Sequence, residues 1–385
     1  MEQIIDKSSL LFNKYHCYLR QMKNVYIIIG TRPDTIKMAP IYHTLRGRSG
    51  IRVKLVSTGQ HKELLVSALN SFNLRPDIDL GLMRHAQTLS GLTADILHGL
   101  ENVFQHERPD LVLTHGDTTT CYASALSCFY HGIPFYHVEA GLRSRNIMSP
   151  YPEEFYRQTI AGIAAHHFAP TAREQRNLMM EGINALKITV TGSTIHEAMQ
   201  SIDYQNDTHV PFFRDGQFNK MVTVTMHRRE NGVVYLQSMM NAIKNIALKE
   251  KQCVFVFPVH PSPLVKQVSG DIFQGVDNVV LTPPLDYRKF ISLLTHSDLI
   301  LTDSGGVQEE AAHLGKNVFI LRDNIERFDG VKQGYTKVVG VNADHIESEV
   351  LNYLQKQQVT ISNSSVINTP SKTPSAIIAD YILSG

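Results

Sequence analysis

The chain has 385 residues, which is too long for one ordinary hydrophobic core, so two domains are expected. Hydrophobic residues make up 43% of the chain, charged residues make up 19%, and the formal net charge is +1, a balance typical of a globular enzyme. Because there is no basic excess to neutralise phosphate backbones, this charge excludes nucleic acid as the main partner.

The four cysteines show neither a C-x-x-C pair nor a zinc spacing, and we interpret them as small apolar packing residues in a reducing compartment. No apolar run approaches the ~20 residues of a membrane span, so no membrane partner is expected. Residues 1–23 are interpreted as an extension, and because they lack an uninterrupted apolar core they are a poor signal peptide. A cytoplasmic location is therefore expected.

Strands and helices alternate over residues 24–203. The continuous apolar run of residues 24–30 predicts a parallel strand buried on both faces, and a helix is expected from about Met38. Further strands are predicted at 51–58, 110–114, 134–138 and 188–191, with a short one from Phe168. Further helices are predicted from 61 and over 88–105, 119–130 and 154–165. The pattern predicts a doubly wound α/β domain.

The alternation stops at residues 204–219, which we interpret as a linker, and then resumes. Strands are predicted at 221–225, 253–258, 278–281, 299–302 and 317–321. Helices are predicted at 233–248, 262–268, 287–295, 343–355 and 376–383. A second α/β domain is therefore expected over 204–371. Gly30 is followed by Thr-Arg-Pro, so a nicotinamide fingerprint is missing.

The stretch Leu299–Ala312 predicts a buried strand, a tight turn over Asp303–Gly306 and the start of a helix. Free N–H groups and the helix dipole make such a start suitable for a phosphate, and Glu309 or Glu310 could then accept a sugar diol. The alternative is an ordinary capped helix start, with Ser304 or Asp303 as N-cap. This stretch alone does not decide between the two interpretations.

In open α/β sheets, ligands bind at the carboxyl ends of the strands. Ionisable residues follow nearly every predicted strand end, whereas the strands themselves stay apolar. These residues are Arg32, Lys37, His115, Asp117, Glu139, Arg143, Glu153, His227, Arg228, Arg229, His260, Arg322 and Arg327.

The cations in corresponding turns of the two domains suit a pyrophosphate, although solvated surface charge is the alternative for each one. The carboxylates Asp117, Glu139 and Glu153 could supply an acid and a base, or they could simply favour helix starts. A metal site at His115, Asp117, His137 and Glu139 is disfavoured, because no helical ligand spacing accompanies these residues.

A series of motifs, in order along the chain, resembles the non-hydrolysing UDP-N-acetylglucosamine 2-epimerases of bacteria. They are Gly30–Pro40, Thr58–His61, His115–Thr120, His137–Arg143, Pro152–Glu154, Met226–Asn231 and Thr302–Ala311. The resemblance implies a GT-B-like fold, with two Rossmann-like domains around a cleft and residues 372–385 returning to the first domain. It also implies a homodimer that needs no metal or other cofactor.

The implied reaction interconverts UDP-GlcNAc and UDP-ManNAc, for surface polysaccharide, through elimination of UDP and bound 2-acetamidoglucal. By this resemblance the catalytic residues are Asp117, Glu139, Glu153 and His227. The substrate-binding residues are Arg32, Lys37, Arg143, His260, Ser304, Gly305, Gly306, Glu310 and Arg327, with Glu310 on the ribose. Regulatory residues are expected at Gln60, His61 and Glu63.

Some residues depart from the family pattern. Tyr156 and Phe328 are unusual for the family, which leaves open a 2-epimerase acting on a modified UDP-2-acetamido sugar. Lys62 and Ala86 also differ, which puts regulation by UDP-GlcNAc in doubt. A nucleotide-sugar-binding protein without catalysis is the alternative from a different functional class.

Overall fold

The structure is a computed structural model that describes residues 22–60, 62–84, 87–204, 217–226, 232–322, 334–356 and 372–384. Within these residues, two parallel sheets carry helices on both faces. The predicted extension over residues 1–21 lies outside the described part of the chain, as do most of the predicted linker and the boundary near residue 371. No helix in the described ranges has the length and apolar character that a membrane crossing requires.

The first sheet has seven parallel strands. They are β1 (Lys23–Ile29), β2 (Ile51–Ser57), β3 (Ile78–Asp79), β4 (Leu111–His115), β5 (Phe135–Val138), β6 (His166–Ala169) and β7 (Ile188–Val190), in the spatial order β3-β2-β1-β4-β5-β6-β7. Its helices are α1 (Arg32–Arg46), α2 (Lys62–Ser71), α3 (Leu89–His106), α4 (Thr119–His131), α5 (Glu153–Ile163), α6 (Ala172–Met180) and α7 (Ile195–Gln200).

The second sheet has six parallel strands. They are β8 (Lys220–Thr225), β9 (Cys253–Pro258), β10 (Val279–Thr282), β11 (Leu299–Thr302), β12 (Val318–Ile320) and β13 (Thr336–Val338), in the order β10-β9-β8-β11-β12-β13. Its helices are α8 (Gly232–Lys249), α9 (Pro263–Phe273), α10 (Tyr287–His296), α11 (Gly305–His313) and α12 (Ala343–Gln355). The predicted α/β fold class is confirmed.

The central strands are buried on both faces, as their continuous apolar runs predict. In β1, residues from Val25 to Ile29 are at most 1% exposed. One apolar cluster continues from helix α1 of the first sheet to α10 and α11 of the second, through Ile36, Phe290 and Val307. Apolar contacts therefore join the two halves directly beside the carboxyl ends of their strands.

The last helix, α13 (Pro374–Ser384), packs against α1 and thus belongs to the layer of the first sheet. Lys23 Nζ donates to the carbonyl oxygen of Ile382 at 2.9 Å, and the Ser375 N–H donates to Glu197 at 2.8 Å. Ile378 and Ile382 are fully buried in the shared apolar cluster.

The start of α1 differs from the sequence prediction. A helix was expected from about Met38, but α1 begins at Arg32. Thr31 is its N-cap and forms a capping box with Asp34, and a proline lies in the first turn. Arg32 and Lys37 are therefore residues of the helix and not of the turn before it. The short elements β3, α7 and β13 were not predicted.

Candidate active site

Lys37 lies at the centre of a buried ionic network between the two sheets. It is 3% exposed, and its Nζ forms ion pairs with Glu139 of the first sheet and with Glu309 of helix α11. The distance to Glu309 is 2.5 Å. Two carboxylates from different domains thus share one cation. The sequence placed Lys37 and Glu139 at strand ends, but it did not pair them.

Glu139 follows β5 in a left-handed backbone conformation, with φ of 64°. This region is uncommon for a residue with a Cβ, and such strain is found most often at functional sites. His115 Nε2 lies 3.4 Å from Glu139, and His115 Nδ1 lies 3.8 Å from Asp34. Burial lowers the pKa of His115, but Glu139 and Asp34 outweigh that effect and raise it overall. His115 therefore favours the charged form between two acids.

Asp117 is held by Arg157 of helix α5. The Arg157 Nε donates to Asp117 Oδ2 at 2.7 Å, and the same guanidinium donates to Glu154 at 3.2 Å. Glu154 is completely buried and accepts hydrogen bonds from the backbone N–H groups of Ser144 and Arg145. Glu154 therefore fixes the loop before α5, while its half-buried neighbour Glu153 begins the helix.

Arg143 serves another part of the fold. Its guanidinium donates two hydrogen bonds of 2.7 Å to Glu181, and the side chain is 2% exposed. It is not among the residues that line the cavity between the sheets in the described part of the chain. The role of Arg143 in substrate binding stays a prediction, and in this structure its guanidinium is directed to Glu181.

The start of helix α11 is a capped helix end. Ser304 is the N-cap, and its Oγ accepts a hydrogen bond from the Val307 N–H at 3.5 Å. Gly305 and Gly306 are the first two helical residues. A capped helix start and a phosphate site are both compatible with this geometry. The Ser304 cap uses one N–H group, and a helix start has other first-turn N–H groups that a phosphate can bind.

A cavity of about 220 Å³ opens between the sheets at this point. We call its two sides the first wall, formed by Arg32 and Lys37 with the acids behind them, and the second wall, which runs from Pro284 to Glu310. The first wall contributes Arg32, Ile36 and Lys37 to the cavity lining, and the second contributes Leu285, Phe290, Ser304, Gly306 and Glu310. His260 also lines the cavity. A larger groove of about 830 Å³ lies elsewhere between the halves, lined by Asn70, Ser201 and Arg288. The acids Asp117, Glu139 and Glu153 line neither space, and Glu139 is linked to the smaller cavity through its ion pair with Lys37.

Arg32 and Glu310 face each other across the cavity floor. The Arg32 guanidinium carbon lies 5.2 Å from the centre of the Phe290 ring and 5.8 Å from that of Tyr287. Burial raises the pKa of Glu310 to about 7, although the charge of Arg32 and a contact with Tyr287 oppose this rise. Glu310 therefore lies near the midpoint of its titration at neutral pH.

Several predicted residues fall outside the described part of the chain: His61, His227 and Arg327, together with the side chain of Glu63. Gln60 is described, and its Oε1 accepts from the Thr120 hydroxyl at 2.9 Å. His137 donates from Nε2 to the Gly116 carbonyl at 2.7 Å. In the described ranges, no group of three or more His, Cys, Asp or Glu side chains is arranged to hold a metal ion.

Tyr156, one of the unusual residues, packs in the core of the first domain. It is 5% exposed and stacks on Tyr122 with 4.7 Å between ring centroids, while its hydroxyl lies 3.4 Å from Thr119 Oγ1. The second unusual residue, Phe328, lies outside the described residues. Because Tyr156 packs in the core, its presence does not support a modified sugar substrate.

Sequence reasoning missed Asp34, Arg157 and Phe290 as parts of the site, and it named Glu309 as a candidate for the sugar diol but not as a partner of Lys37. For Asp34, the Thr31-x-x-Asp34 spacing indicates a capping box and could have revealed the early start of α1. The partners of Arg157 and Glu309 lie 40 and 272 positions away along the chain. Nothing in the local sequence indicates those contacts.

Comparison with known proteins agrees with this geometry. The profile of the family described as UDP-N-acetylglucosamine 2-epimerase matches residues 43–372. The UDP-N-acetylglucosamine 2-epimerase of Yersinia pestis is 40% identical over 338 residues, which cover 86% of this chain and 90% of that protein.

Two solved structures are also similar. The UDP-GlcNAc 2-epimerase from Neisseria meningitidis, bound to UDP-GlcNAc, superposes with a TM-score of 0.86 at 37% identity, covering 94% of this chain and 100% of that one. The enzyme from Methanocaldococcus jannaschii, in complex with UDP-GlcNAc and UDP, has a TM-score of 0.82 at 31% identity and the same coverage. The chain therefore belongs to the UDP-N-acetylglucosamine 2-epimerase family.

Proposed function

We propose that this protein interconverts UDP-GlcNAc and UDP-ManNAc without hydrolysing the nucleotide sugar. The observation that carries the proposal is the pairing of the two walls. Arg32 and Lys37 of the first domain face a helix N-terminus of the second domain across one cavity, and Glu139 lies behind Lys37 as its ion-pair partner. The relatives from Neisseria meningitidis and Methanocaldococcus jannaschii, solved with UDP-GlcNAc, support the choice of substrate.

In this proposal the diphosphate lies between Arg32, Lys37 and the first turn of α11. Arg32 supplies a planar pair of donors, Lys37 a point charge, and the helix start supplies N–H groups and its dipole. The apolar side of the cavity, with Leu285 and Phe290, fits the uracil ring. The Glu310 carboxylate then accepts hydrogen bonds from the ribose hydroxyls.

The reaction breaks two bonds of the sugar and forms them again. A carboxylate removes the proton from C2, the electron pair forms the C1–C2 double bond, and the C1–O bond breaks to release UDP. UDP then adds back to C1 of the bound 2-acetamidoglucal, while a carboxylic acid returns a proton to C2 on the other face. The net change is inversion at C2, with no oxidant and no water consumed.

The acid and base of this sequence come from Asp117, Glu139 and Glu153. Two of these acids are held in place: Glu139 by Lys37, and Asp117 by Arg157. Positioned acids and bases of this kind contribute roughly 10²–10⁴-fold to rate. Positive charge near the departing phosphate oxygen contributes further, because negative charge builds up there as the C1–O bond breaks.

The test is the identity of the products. Incubation with UDP-GlcNAc, followed by anion-exchange chromatography, should yield UDP-ManNAc in equilibrium with the substrate and no accumulating free ManNAc. Free ManNAc with UDP in equal amounts would instead establish a hydrolysing enzyme. Complete absence of turnover, with UDP-GlcNAc still bound, would favour a nucleotide-sugar-binding protein.

Two further parts of the proposal concern the cellular setting. The product supplies ManNAc units for surface polysaccharide, and the enzyme works as a homodimer. Sedimentation analysis at micromolar concentration should give about twice the 43.3 kDa mass of the chain, whereas the monomer mass would contradict the dimer.

A further inference from the structure

Tyr287, the first residue of helix α10, has a hydroxyl that packing does not explain. The side chain is 0% exposed and belongs to the apolar cluster that joins the two halves. Its ring lies 5.5 Å from that of Phe72, centroid to centroid, and the Arg32 guanidinium lies over its face. A phenylalanine would make the same apolar contacts. Because a buried hydroxyl is unfavourable without a partner, the oxygen needs a reason to be there.

The partner that the structure offers is Glu310. Among the described residues, the Tyr287 hydroxyl makes no hydrogen bond of normal length, yet it interacts with the Glu310 carboxylate. Burial, and then the negative charge of Glu310, raise the pKa of Tyr287 well above its usual value. Tyr287 therefore keeps its proton and can donate it to the ionised Glu310 carboxylate, which then acts as the acceptor.

Glu310 is surrounded by charged groups from three helices. Arg32 and Lys37 of α1 and the Tyr287 hydroxyl of α10 favour its ionised form, whereas burial and its neighbour Glu309 on α11 oppose it. Burial outweighs the favourable groups, since the pKa is raised to about 7, so Glu310 is close to half ionised at neutral pH. Loss of one donor therefore changes the fraction of Glu310 that is ionised at neutral pH.

We propose that Tyr287 is a positioning residue, whose O–H holds the Glu310 side chain ionised and aimed at the ribose hydroxyls of the nucleotide. A carboxylate can accept from both hydroxyls of a diol, whereas a carboxylic acid has one acceptor oxygen fewer to offer. This inference rests on the proposed function, because it takes Glu310 as the ribose acceptor. Tyr287 itself touches neither the ribose nor the reacting atoms.

The test compares Tyr287→Phe with the wild type in UDP binding, measured by calorimetry at two pH values. If removing the donor raises the pKa of Glu310 by about one unit, the variant binds about fivefold more weakly near pH 7. The same shift leaves a difference of less than about twofold near pH 8.5, where Glu310 ionises without help. Titration of the UDP phosphates affects both proteins equally and cancels in the ratio.

Two controls accompany this comparison. Tyr353→Phe also removes a tyrosine hydroxyl in the second domain, one that donates to the Asp298 carbonyl at 3.0 Å, and it should leave UDP affinity unchanged at both pH values. In Glu310→Gln, UDP binding should weaken, and adding Tyr287→Phe to that variant should change nothing further, because the group that Tyr287 positions is no longer a carboxylate.

Wild-type affinity of Tyr287→Phe at both pH values would overturn the inference. So would a loss of equal size at both pH values, because that result indicates a structural role only. If the wild type binds UDP and Glu310→Gln binds it equally well, Glu310 does not hold the ribose. That result overturns the inference but leaves the rest of the proposed function standing. No UDP binding by the wild type would overturn the proposed function itself, and the inference with it.

Discussion

The first and second walls of the cleft use their polar groups differently. In the first wall, two short ion pairs fix the acids: Lys37 pairs with Glu139, and Arg157 pairs with Asp117. The second wall has a helix start capped by Ser304, apolar residues such as Phe290, and the buried acid Glu310, which lines the cavity. The first wall is therefore fixed before substrate arrives, whereas the second presents N–H groups and an apolar surface for a ligand to complete.

This difference suggests a division of labour in the proposed reaction. Fixed charges lower a barrier because they need no rearrangement as charge develops. The second wall has another task, which is to hold UDP after the C1–O bond breaks so that the same nucleotide can add back. Variants of the first wall should therefore slow the reaction, and variants of the second should release intermediates.

The largest effect is expected from Lys37→Met. Without this cation, Glu139 and Glu309 are left buried with no shared counter-charge, and one contact to the diphosphate is lost. Removing one partner of a buried ion pair costs about 3–5 kcal/mol of folding stability, and kcat should fall by about 10³-fold or more. Urea unfolding and initial rates measure the two quantities.

The matched control is Lys54→Met, which removes a lysine with an 18% exposed side chain that pairs with the more exposed Glu107 at 2.5 Å, away from the cleft. It should cost less than about 1 kcal/mol and leave kcat unchanged. Equal effects of the two substitutions would contradict a special role for the buried network.

The next largest effect is expected from Glu153→Gln. The amide keeps the size of the side chain but cannot exchange a proton, so exchange at C2 should fall by roughly 10²–10⁴-fold. UDP affinity should stay within about threefold of the wild type, because the phosphate cations and Glu310 are untouched. Rapid turnover by this variant would remove Glu153 from the mechanism.

Ser304→Ala tests the second wall and should have a smaller effect on rate. Loss of the N-cap destabilises the start of α11 by about 1 kcal/mol and loosens the phosphate site. We expect free UDP and 2-acetamidoglucal to appear in solution during turnover, which phosphorus NMR and mass spectrometry detect. A variant that only raises KM, with no released glycal, would contradict the retention role of this wall.

The smallest effect concerns His137, in strand β5 below the first wall. Burial lowers the pKa of His137 to about 4, below its unfolded value of about 6.5, so the native state binds fewer protons. Its contribution to stability is present above about pH 6.5 and is lost as pH falls towards 4, reaching about 1 kcal/mol of loss near pH 5.5. His137→Gln should reduce this acid sensitivity, whereas His345→Gln, at an exposed position on α12, should not.

Much of the fold could be predicted from the sequence because buried parallel strands are read from continuous apolar runs. Strands β9 and β11 lie at their predicted residues, whereas the turn predicted over Asp303–Gly306 ends earlier, because α11 begins at Gly305. The start of α1 was missed because the apolar pattern is weak there, although the Thr31–Asp34 capping box was present in the sequence. The two-residue strand β3 is too short to produce a pattern.

The site could be predicted only as a set of residue types at strand ends. Alternation of strands and helices places Lys37 and Glu139 at the carboxyl edge of the first sheet and Glu310 at the carboxyl edge of the second, since parallel strands of a sheet end together. It does not specify that Lys37 is shared by two domains, that Arg143 turns away to Glu181, or that Tyr287 lies against Glu310. Those contacts depend on side-chain packing between distant segments.

The central claim is that the C2 proton leaves and returns while UDP stays bound. Incubation with UDP-GlcNAc in D₂O, followed by proton NMR, tests it most directly. Deuterium is expected at C2 of both UDP-ManNAc and recovered UDP-GlcNAc, with little free UDP. UDP-ManNAc that forms with its original C2 proton retained, or free ManNAc in place of the nucleotide sugar, would contradict it.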